Sequence, residues 1–291
     1  MKVAVLGGSG YLASIISYFN HKKKNFIFFS RNSKNKNLKI DYLSFQDVNK
    51  KLNNFDCVIN LAGISKTDSE IFKSKGIKIR EKIANNLAKL CLINNIKLIH
   101  ISSIQVYKNF DLKKRLKIKS TKDYKSFYAK GHIATEKIFT NKLKNKKNSF
   151  IIIRLSNVFG FTTNMTKKYI LENLINNLCY YAKKKNLIIL KNPSIVRNVI
   201  PSKFFYSLIN YIIRKNYFKN KIINYGYKSL DLKNISNLIA KQCKNKLKKN
   251  IKIEYKNYIK NKKFIIYDNI LKRKYNQNEI TSEINNILKN I

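Results

Sequence analysis

The chain opens on a glycine-rich turn between a short apolar strand and the start of a helix. The run Lys-Val-Ala-Val-Leu-Gly-Gly-Ser-Gly-Tyr-Leu-Ala occupies residues 2–13. Glycines let a backbone turn tightly and approach phosphate groups, and a helix N-terminus offers N–H groups and partial positive charge. Two dinucleotide-binding spacings fit, because either Gly8 and Gly10 or Gly7 and Gly10 precede Ala13. The turn therefore predicts a pyrophosphate site, with a plain strand–helix corner as the alternative.

Strand and helix patterns alternate along the first two-thirds of the chain. Apolar runs predict strands at Val3–Leu6, Phe26–Ser30, Lys39–Tyr42, Cys57–Leu61, Lys97–Ile101 and Phe150–Arg154. Helical periodicity predicts helices at Tyr11–Phe19, Gln46–Leu52, Lys78–Asn94 and Tyr124–Lys142. This order indicates an α/β fold with a Rossmann-type, doubly wound parallel sheet, which binds ligands at the carboxyl ends of its strands.

The order of the elements changes after Gly160. Residues 1–160 are therefore predicted to form a dinucleotide-binding domain, and residues 161–291 a smaller C-terminal lobe that binds substrate. A segment near residues 198–226 is expected to return to the first domain. The 291 residues, of which 44% are hydrophobic, are enough to bury the core of such a protein.

The formal net charge of +46 invites a nucleic-acid or membrane-surface interpretation. Only seven of the 61 basic residues are arginine, the side chain that makes bidentate contacts with bases and phosphates. Lysine, asparagine and isoleucine are abundant everywhere and do not concentrate in one segment. We expect a solvated, lysine-rich surface that reflects an AT-rich genome, and no nucleic-acid partner. DNA binding with a steep salt dependence would overturn this expectation.

Cysteine, histidine and hydropathy patterns exclude several other classes. The four cysteines and three histidines are scattered, without the spacing of metal ligands, so no metal site is expected. The apolar runs have the length of strands and not of membrane spans. The N-terminal apolar stretch is interrupted by the glycine turn and lacks a cleavage-site pattern. We therefore expect a cytoplasmic protein.

Further motifs follow the glycine turn in a fixed order. They are Val58-Ile59-Asn60-Leu61-Ala62-Gly63, Ser102-Ser103 with Val106-Tyr107, Tyr128 followed by the Ala134-Thr135-Glu136 helix, Arg154-Leu155-Ser156-Asn157-Val158-Phe159-Gly160, Arg197-Asn198-Val199-Ile200 and Asn224-Tyr225-Gly226. In this order and spacing the chain resembles the extended short-chain dehydrogenases/reductases, in the NAD-dependent epimerase/dehydratase family that modifies nucleotide sugars. The resemblance runs nearly from end to end.

The resemblance implies catalytic residues at the end of the fifth predicted strand and on the following helix. Ser103 would hydrogen-bond the reacting sugar oxygen, and Tyr128 would be the general acid/base. A phenol has a pKa of about 10, so it needs nearby positive charge to act near neutrality. Relatives take this charge from the oxidised nicotinamide and a lysine four residues on, where this chain has His132. Imidazole can bind the cofactor ribose but is charged only below its pKa, and a helix-surface histidine is the alternative.

The resemblance also implies which residues hold the cofactor. They are, in chain order, Gly7, Gly10, Tyr11, Leu12, Ala13, Ser30, Arg31, Asp41, Leu61, Ala62, Gly63 and His132. Members that prefer NAD place an acidic residue at the end of the second strand, where it holds the ribose 2′-OH. Ser30 and Arg31 stand there instead and could receive a 2′-phosphate, which favours NADP over NAD. The alternatives are an ordinary exposed cation for Arg31 and a strand-end cap for Asp41.

The substrate side of the resemblance is carried by three residues. Arg197 matches an arginine that binds the nucleotide diphosphate, and Asn157 and Asn177 resemble substrate contacts. The implied function is an NAD(P)-dependent nucleotide-sugar 4-keto reductase or epimerase, in the synthesis of surface polysaccharide or lipopolysaccharide precursors. A 4,6-dehydratase is disfavoured, because Ile104 and Gln105 stand where dehydratases carry acidic residues.

Two further points about partners and activity follow from the same resemblance. A nucleotide-sugar substrate and a homodimer are the implied partners. Arg80 stands where many relatives have asparagine, and His132 replaces the usual lysine. These departures leave open a second class of function, a cofactor-binding member without catalysis that acts as a sensor or scaffold.

Overall fold

The computed structural model describes residues 1–20, 25–107, 117–120, 122–147, 149–163, 165–256 and 276–291. One of the three histidines, His21, lies outside these residues. The chain divides into two compact units. The first takes the described residues of Met1–Asn109, Ile118–Leu155 and Ile209–Asn224, and the second those of Phe110–Lys117, Ser156–Leu208 and Tyr225–Ile291. The assignment of cofactor binding and substrate binding to separate domains stays a prediction.

The described elements alternate along the chain. The strands are β1 (Val3–Leu6), β2 (Phe26–Phe29), β3 (Cys57–Asn60), β4 (Lys97–Ser103), β5 (Phe150–Leu155), β6 (Asn157–Phe159), β7 (Leu187–Leu190), β8 (Val196–Pro201), β9 (Lys221–Tyr225), β10 (Lys228–Asp231) and β11 (Lys252–Tyr255). The helices are α1 (Tyr11–Phe19), α2 (Phe45–Leu52), α3 (Lys66–Ile93), α4 (Phe127–Leu143), α5 (Lys167–Glu172), α6 (Leu174–Lys185), α7 (Ser202–Arg214), α8 (Leu232–Leu247) and α9 (Gln277–Asn290).

One six-stranded sheet runs in the order β2-β1-β3-β4-β5-β9. Every residue of β1 and β3 is buried, as expected for parallel strands covered by helices on both faces. Leu6 pairs with Phe29 on one side and with Asn60 on the other, so the first three strands end at the same edge. The prediction of an α/β fold with a Rossmann-type parallel sheet is confirmed.

The strand predicted at Lys39–Tyr42 is wrong. A 3-10 turn, Lys36–Leu38, precedes this segment. Within the segment only Lys39 forms a bridge, an isolated one to Ser30. The Asp41 carboxylate then accepts a hydrogen bond from the backbone N–H of Leu43 at 2.9 Å. Such a side-chain-to-backbone bond turns the chain, so the extended run ends before a ladder can form.

Helix α3 begins earlier than the predicted Lys78. Ser65 caps it by accepting a hydrogen bond from the backbone N–H of Asp68 at 3.1 Å. The helix is interrupted at Lys73, whose φ of +47° lies outside the helical region. Residues 70–75 are exposed, so the first helical segment lacks the apolar periodicity on which the prediction rested.

The described residues of the second unit form two smaller sheets. Strand β8 pairs antiparallel with β10 and parallel with β6, and β7 pairs parallel with β11. Apolar side chains of α6, α8 and α9 form the core of this unit. No described helix of either unit combines the length and hydrophobicity needed to cross a membrane.

Candidate functional site

The glycine turn follows β1 directly. Gly7 has a φ of +80°, and a Cβ placed on it would lie 2.9 Å from the carbonyl carbon of Leu61. The N–H of Gly10 donates to the Gly7 carbonyl at 2.8 Å and closes the turn. Gly10 is the N-cap residue of α1, and no described side chain caps the helix. The turn thus brings bare backbone and a helix N-terminus together, which is the arrangement that binds a pyrophosphate.

Replacing Gly7 by alanine is expected to disrupt this turn. The Cβ would meet backbone atoms at a φ that L-residues rarely adopt, so we expect at least tenfold weaker NADPH binding and a loss of stability of about 1–3 kcal/mol. Gly76→Ala is the matched control, because its Cβ would meet Phe72 at an ordinary 3.4 Å inside a helix. Fluorescence titration and thermal unfolding measure both quantities. Unchanged affinity in Gly7→Ala would exclude the turn from the cofactor site.

A pocket of about 180 Å³ opens beside the glycine turn. The ends of β1, β2 and β3 and one side of α3 form its wall. Seven of the predicted cofactor residues line it, namely Gly7, Gly10, Ser30, Arg31, Leu61, Ala62 and Gly63. Three others, Tyr11, Leu12 and Ala13, form the first turn of α1. A glycine cradle at a helix N-terminus, continued by strand ends, fits a dinucleotide such as NAD or NADP.

The end of β2 carries the features that distinguish the two dinucleotides. Ser30 is buried, whereas Arg31 is exposed at the pocket wall. The described wall of the pocket carries no acidic side chain. Asp41 is exposed and does not line the pocket, and its carboxylate is used in the turn that follows.

Tyr42 is a pocket residue that the motif comparison missed. Its hydroxyl accepts a hydrogen bond from the N–H of Gly7 at 2.9 Å and donates one to the carbonyl of Phe29 at 2.9 Å. Burial raises the pKa of Tyr42, so the hydroxyl keeps the proton that it donates. The side chain therefore fastens the glycine turn to the end of β2. Nothing in the local sequence marks this tyrosine, because its partners Gly7 and Phe29 are 35 and 13 residues away in the chain.

Ser103 and Tyr128 occupy element ends in the first unit. Ser103 is buried at the end of β4, and its hydroxyl accepts a hydrogen bond from the N–H of Gln105 at 3.1 Å. Tyr128 is half-buried in the first turn of α4. Glu70 accepts hydrogen bonds from the Ser126 hydroxyl at 2.9 Å and the Tyr128 N–H at 3.3 Å. Its negative charge therefore lies at the N-terminus of α4, where the helix dipole stabilises an anion.

His132 lies one helical turn beyond Tyr128, with the ring centroids 4.6 Å apart in an edge-to-face arrangement. The side chain is 5% exposed, and neither ring nitrogen has a hydrogen-bond partner among the described residues. Burial first, and then the charge of Arg80 and the proximity of His100, hold the pKa of His132 well below its usual range. The imidazole is therefore neutral at physiological pH and supplies no positive charge.

Behind His132 lies a second buried ring. His100 on β4 is hydrogen-bonded to the Asn60 side chain at 3.2 Å, and its ring lies 6.5 Å from that of His132. Asn60 in turn accepts from the N–H of Ala62 on the pocket wall at 3.1 Å. Burial and the charge of Arg80 lower the pKa of His100 to about 3.

The lowered pKa of His100 predicts acid sensitivity. Below a pH of about 6.5, the unfolded state binds a proton at this imidazole that the folded state does not bind. The contribution of His100 to the free energy of unfolding is therefore fully present above that pH and is lost as the pH decreases. Because the pKa of His100 in the folded state is about 3, this group alone lowers the free energy of unfolding by about 2 kcal/mol at pH 5. Urea unfolding at pH 7 and pH 5 should show a smaller loss in His100→Asn than in the wild type. Equal losses would contradict the assignment.

A buried ion pair joins α4 to β5. The Glu136 carboxylate accepts from Arg154 Nε at 2.8 Å and Nη2 at 2.5 Å, and from the Ser102 hydroxyl at 2.7 Å. Arg154 also donates to the hydroxyl of Tyr107 at 2.8 Å, and this hydroxyl donates to Asn224 at 2.6 Å. The network thus fixes the end of β4, which carries Ser103, to α4, which carries Tyr128. All five of its residues lie in sequence motifs, but the motifs did not indicate this role.

The predicted substrate residues all lie in the second unit. Asn157 donates to the carbonyl of Asn198 at 2.8 Å, Asn177 to that of Leu171 at 2.9 Å and Arg197 to that of Val196 at 3.0 Å. Arg197 is half-buried, and burial lowers its pKa. Their contact with a substrate stays a prediction. The described residues contain no group of three His, Cys, Asp or Glu side chains that could hold a metal ion.

Comparison with protein families identifies this arrangement. The model of the NAD dependent epimerase/dehydratase family matches residues 3–224. The chain belongs to this family. As a member it has the fold and glycine turn of proteins that bind NAD(P). No curated protein is similar enough in sequence to be matched to it.

Solved structures of other proteins share the fold of this family member over nearly its whole length. UDP-N-acetylglucosamine 4-epimerase from Bacillus cereus is 20% identical, with 99% of each chain covered and a TM-score of 0.79. dTDP-glucose 4,6-dehydratase from Bacillus anthracis, in complex with NAD, is 16% identical, with 99% of this chain and 96% of that chain covered and a TM-score of 0.77. L-threonine dehydrogenase from Phytophthora infestans is 11% identical, with 99% and 98% covered and a TM-score of 0.80. Since one relative acts on an amino acid, the fold alone does not select the substrate.

Proposed function

We propose that the protein is an NAD(P)-dependent oxidoreductase that acts on a nucleotide sugar, as a 4-keto reductase or an epimerase. The observation that carries the proposal is the pocket, which joins a glycine cradle to strand ends at the edge of the sheet where Ser103 ends β4. When bound, the nicotinamide dinucleotide supplies or accepts the hydride. The protein's own residues bind it, orient the sugar and move one proton.

Two side chains perform the proton transfer and the orientation. The Ser103 hydroxyl donates a hydrogen bond to the sugar oxygen that changes between alcohol and ketone. The Tyr128 hydroxyl gives a proton to this oxygen during reduction and takes it back during oxidation. A role of His132 in holding the cofactor ribose stays a prediction, because both of its nitrogens are buried in the structure.

Arg31 is proposed to favour NADP over NAD. An exposed guanidinium at the pocket wall can bind a 2′-phosphate by charge-assisted hydrogen bonds. The described wall carries no carboxylate that would bind the 2′-OH of NAD. Arg31→Ala should weaken NADPH binding about tenfold and leave NADH binding unchanged. Parallel titrations measure this change, with Lys50→Ala, which removes an exposed cation of α2, as the control. Equal effects on NADPH and NADH binding would show that Arg31 does not determine the preference between the two cofactors.

Product analysis on a panel of substrates tests the reaction class. The panel contains UDP- and dTDP-sugars, their 4-keto forms and L-threonine, each incubated with NADPH or NADP and analysed by mass spectrometry and NMR. Cofactor consumption equal to product formation indicates a reductase, and turnover without net consumption indicates an epimerase. Turnover of L-threonine alone would overturn the choice of nucleotide sugars.

A second candidate function is cofactor binding without catalysis. The neutral, buried His132 favours it, because the residue that follows the acid/base by one turn brings no charge. Tight NADPH binding with no turnover across the panel would support this candidate. Synthesis of surface polysaccharide precursors, a cytoplasmic location and a homodimer remain parts of the main proposal, and sedimentation velocity tests the last.

A further inference from the structure

Arg80 is a buried arginine that passes between two glycines. It lies on α3 and is 6% exposed. A Cβ on Gly131 of α4 would lie 2.7 Å from its Cδ, and a Cβ on Gly63 of the pocket wall would lie 2.9 Å from its Nη1. Any larger residue at either position would displace the side chain. The guanidinium is therefore held behind the pocket wall, next to the start of α4.

The charge of Arg80 has no carboxylate partner among the described residues. Its Nη2 donates to the carbonyl of Ile64, while its Nε is buried without a hydrogen-bond partner. A buried cation without a counter-charge is strongly unfavourable, so such a group usually serves a purpose other than stability. The ring of Tyr128 lies over it, with 5.4 Å between the Arg80 Cζ and the ring centroid.

We propose that Arg80 supplies the fixed positive charge that stabilises the phenolate of Tyr128, in place of the lysine that position 132 lacks. This inference rests on the proposed function, since it concerns the acid/base of that site. It makes Arg80 a positioning residue that acts through Tyr128. An arginine is charged at every physiological pH, so the phenolate is favoured also where imidazole is neutral.

Other charged and titratable groups near Tyr128 do not offer this charge. His132 on the same helix and His100 on β4 are both neutral at physiological pH, in part because Arg80 repels a proton from them. Glu70 on α3 carries a negative charge and is bound to the N-terminus of α4. Among the described groups that face the phenol, Arg80 thus provides the stabilising cation.

Ionisation of Tyr128 can be measured without turnover. In cofactor-free protein labelled with ¹³Cζ-tyrosine, the Tyr128 resonance is assigned by its loss in Tyr128→Phe and followed as pH rises. In Arg80→Met the pH of half-ionisation should rise by about one pH unit or more. Arg80→Lys should keep most of the wild-type value. Lys82→Met, an exposed cation on the same helix, is the control and should cause no change.

Moving the charge provides a second test. If the charge is what matters, Arg80→Met should lower the rate of sugar oxidation at pH 7 about tenfold for each pH unit by which the half-ionisation of Tyr128 rises. Adding His132→Lys to Arg80→Met should restore both the rate and the pH profile. If Arg80→Met does not fold, Arg80→Gln, which keeps a donor for the Ile64 carbonyl, carries the same test.

The outcomes separate this inference from the proposed function. An unchanged ionisation pH in the arginine variant overturns the inference, even if the protein turns over nucleotide sugars. A raised ionisation pH supports it, even if the substrate panel yields no product and the proposed function fails. Thermal unfolding of each variant shows that the compared proteins are folded.

Discussion

Tyr128→Phe is expected to lower turnover of a nucleotide sugar by a factor of about 10² to 10⁴, the usual contribution of a positioned general acid/base. The phenyl ring keeps the edge-to-face contact with His132 and the packing over Arg80, and only the hydroxyl is lost. Affinity for NADPH should stay within about twofold of the wild type, because Tyr128 does not line the glycine-turn pocket. Steady-state kinetics and fluorescence titration on the same preparation measure the two effects.

Tyr124→Phe is the matched control for this experiment. Tyr124 lies four residues earlier and is 58% exposed, so removal of its hydroxyl should change neither turnover nor affinity. Full turnover in Tyr128→Phe would exclude the tyrosine from the reaction. A parallel loss of cofactor affinity would instead assign it a binding role.

Of the single substitutions considered for the described residues, Glu136→Gln should cause the largest loss of stability. The carboxylate and Arg154 are both nearly inaccessible, with side-chain exposures of 5% and 3%. The amide would leave the arginine as an uncompensated buried charge, for which we expect a loss of about 3–5 kcal/mol. Urea unfolding at pH 7 measures it. Because the pair fixes α4 to the sheet, turnover should fall even where the variant is folded.

An exposed acid provides the comparison. Glu172 makes an i,i+4 pair with Lys168 at 3.8 Å, and its side chain is half exposed to solvent. Glu172→Gln should change the stability by no more than about 0.5 kcal/mol, because surface pairs contribute little. If both variants lose the same small amount of stability, the buried network does not hold α4 to the sheet.

Features that depend on local sequence were predictable. The glycine turn and the buried strands follow from composition and spacing, whereas the seven predicted cofactor residues that share one pocket wall were implied by the resemblance to the family. The strand expected at Lys39–Tyr42 shows the limit, because two apolar residues in alternation do not form a ladder when Asp41 turns the chain. Periodicity also failed at the start of α3, where the exposed residues have no apolar stripe.

Features that depend on distant partners were not predictable. Tyr42 holds Gly7, which lies 35 residues away, and Glu136 pairs with Arg154 18 residues later. His132 was visible as a departure from the family pattern, but its protonation state depends on burial and on Arg80, which only the tertiary structure reveals. Arg80 was noted only as a substitution, since its contacts with two glycines and Tyr128 come from three separate segments.

The central claim, that the glycine-turn pocket holds a nicotinamide dinucleotide, is tested most directly by titrating the protein with NADPH and NADH in parallel at physiological salt. The chain contains no tryptophan whose fluorescence could report binding, so the fluorescence of the reduced nicotinamide itself is followed. We expect saturable binding to the wild type, tighter for NADPH, and at least tenfold weaker binding to Gly7→Ala. No binding of either form to protein that circular dichroism shows to be folded would contradict the claim.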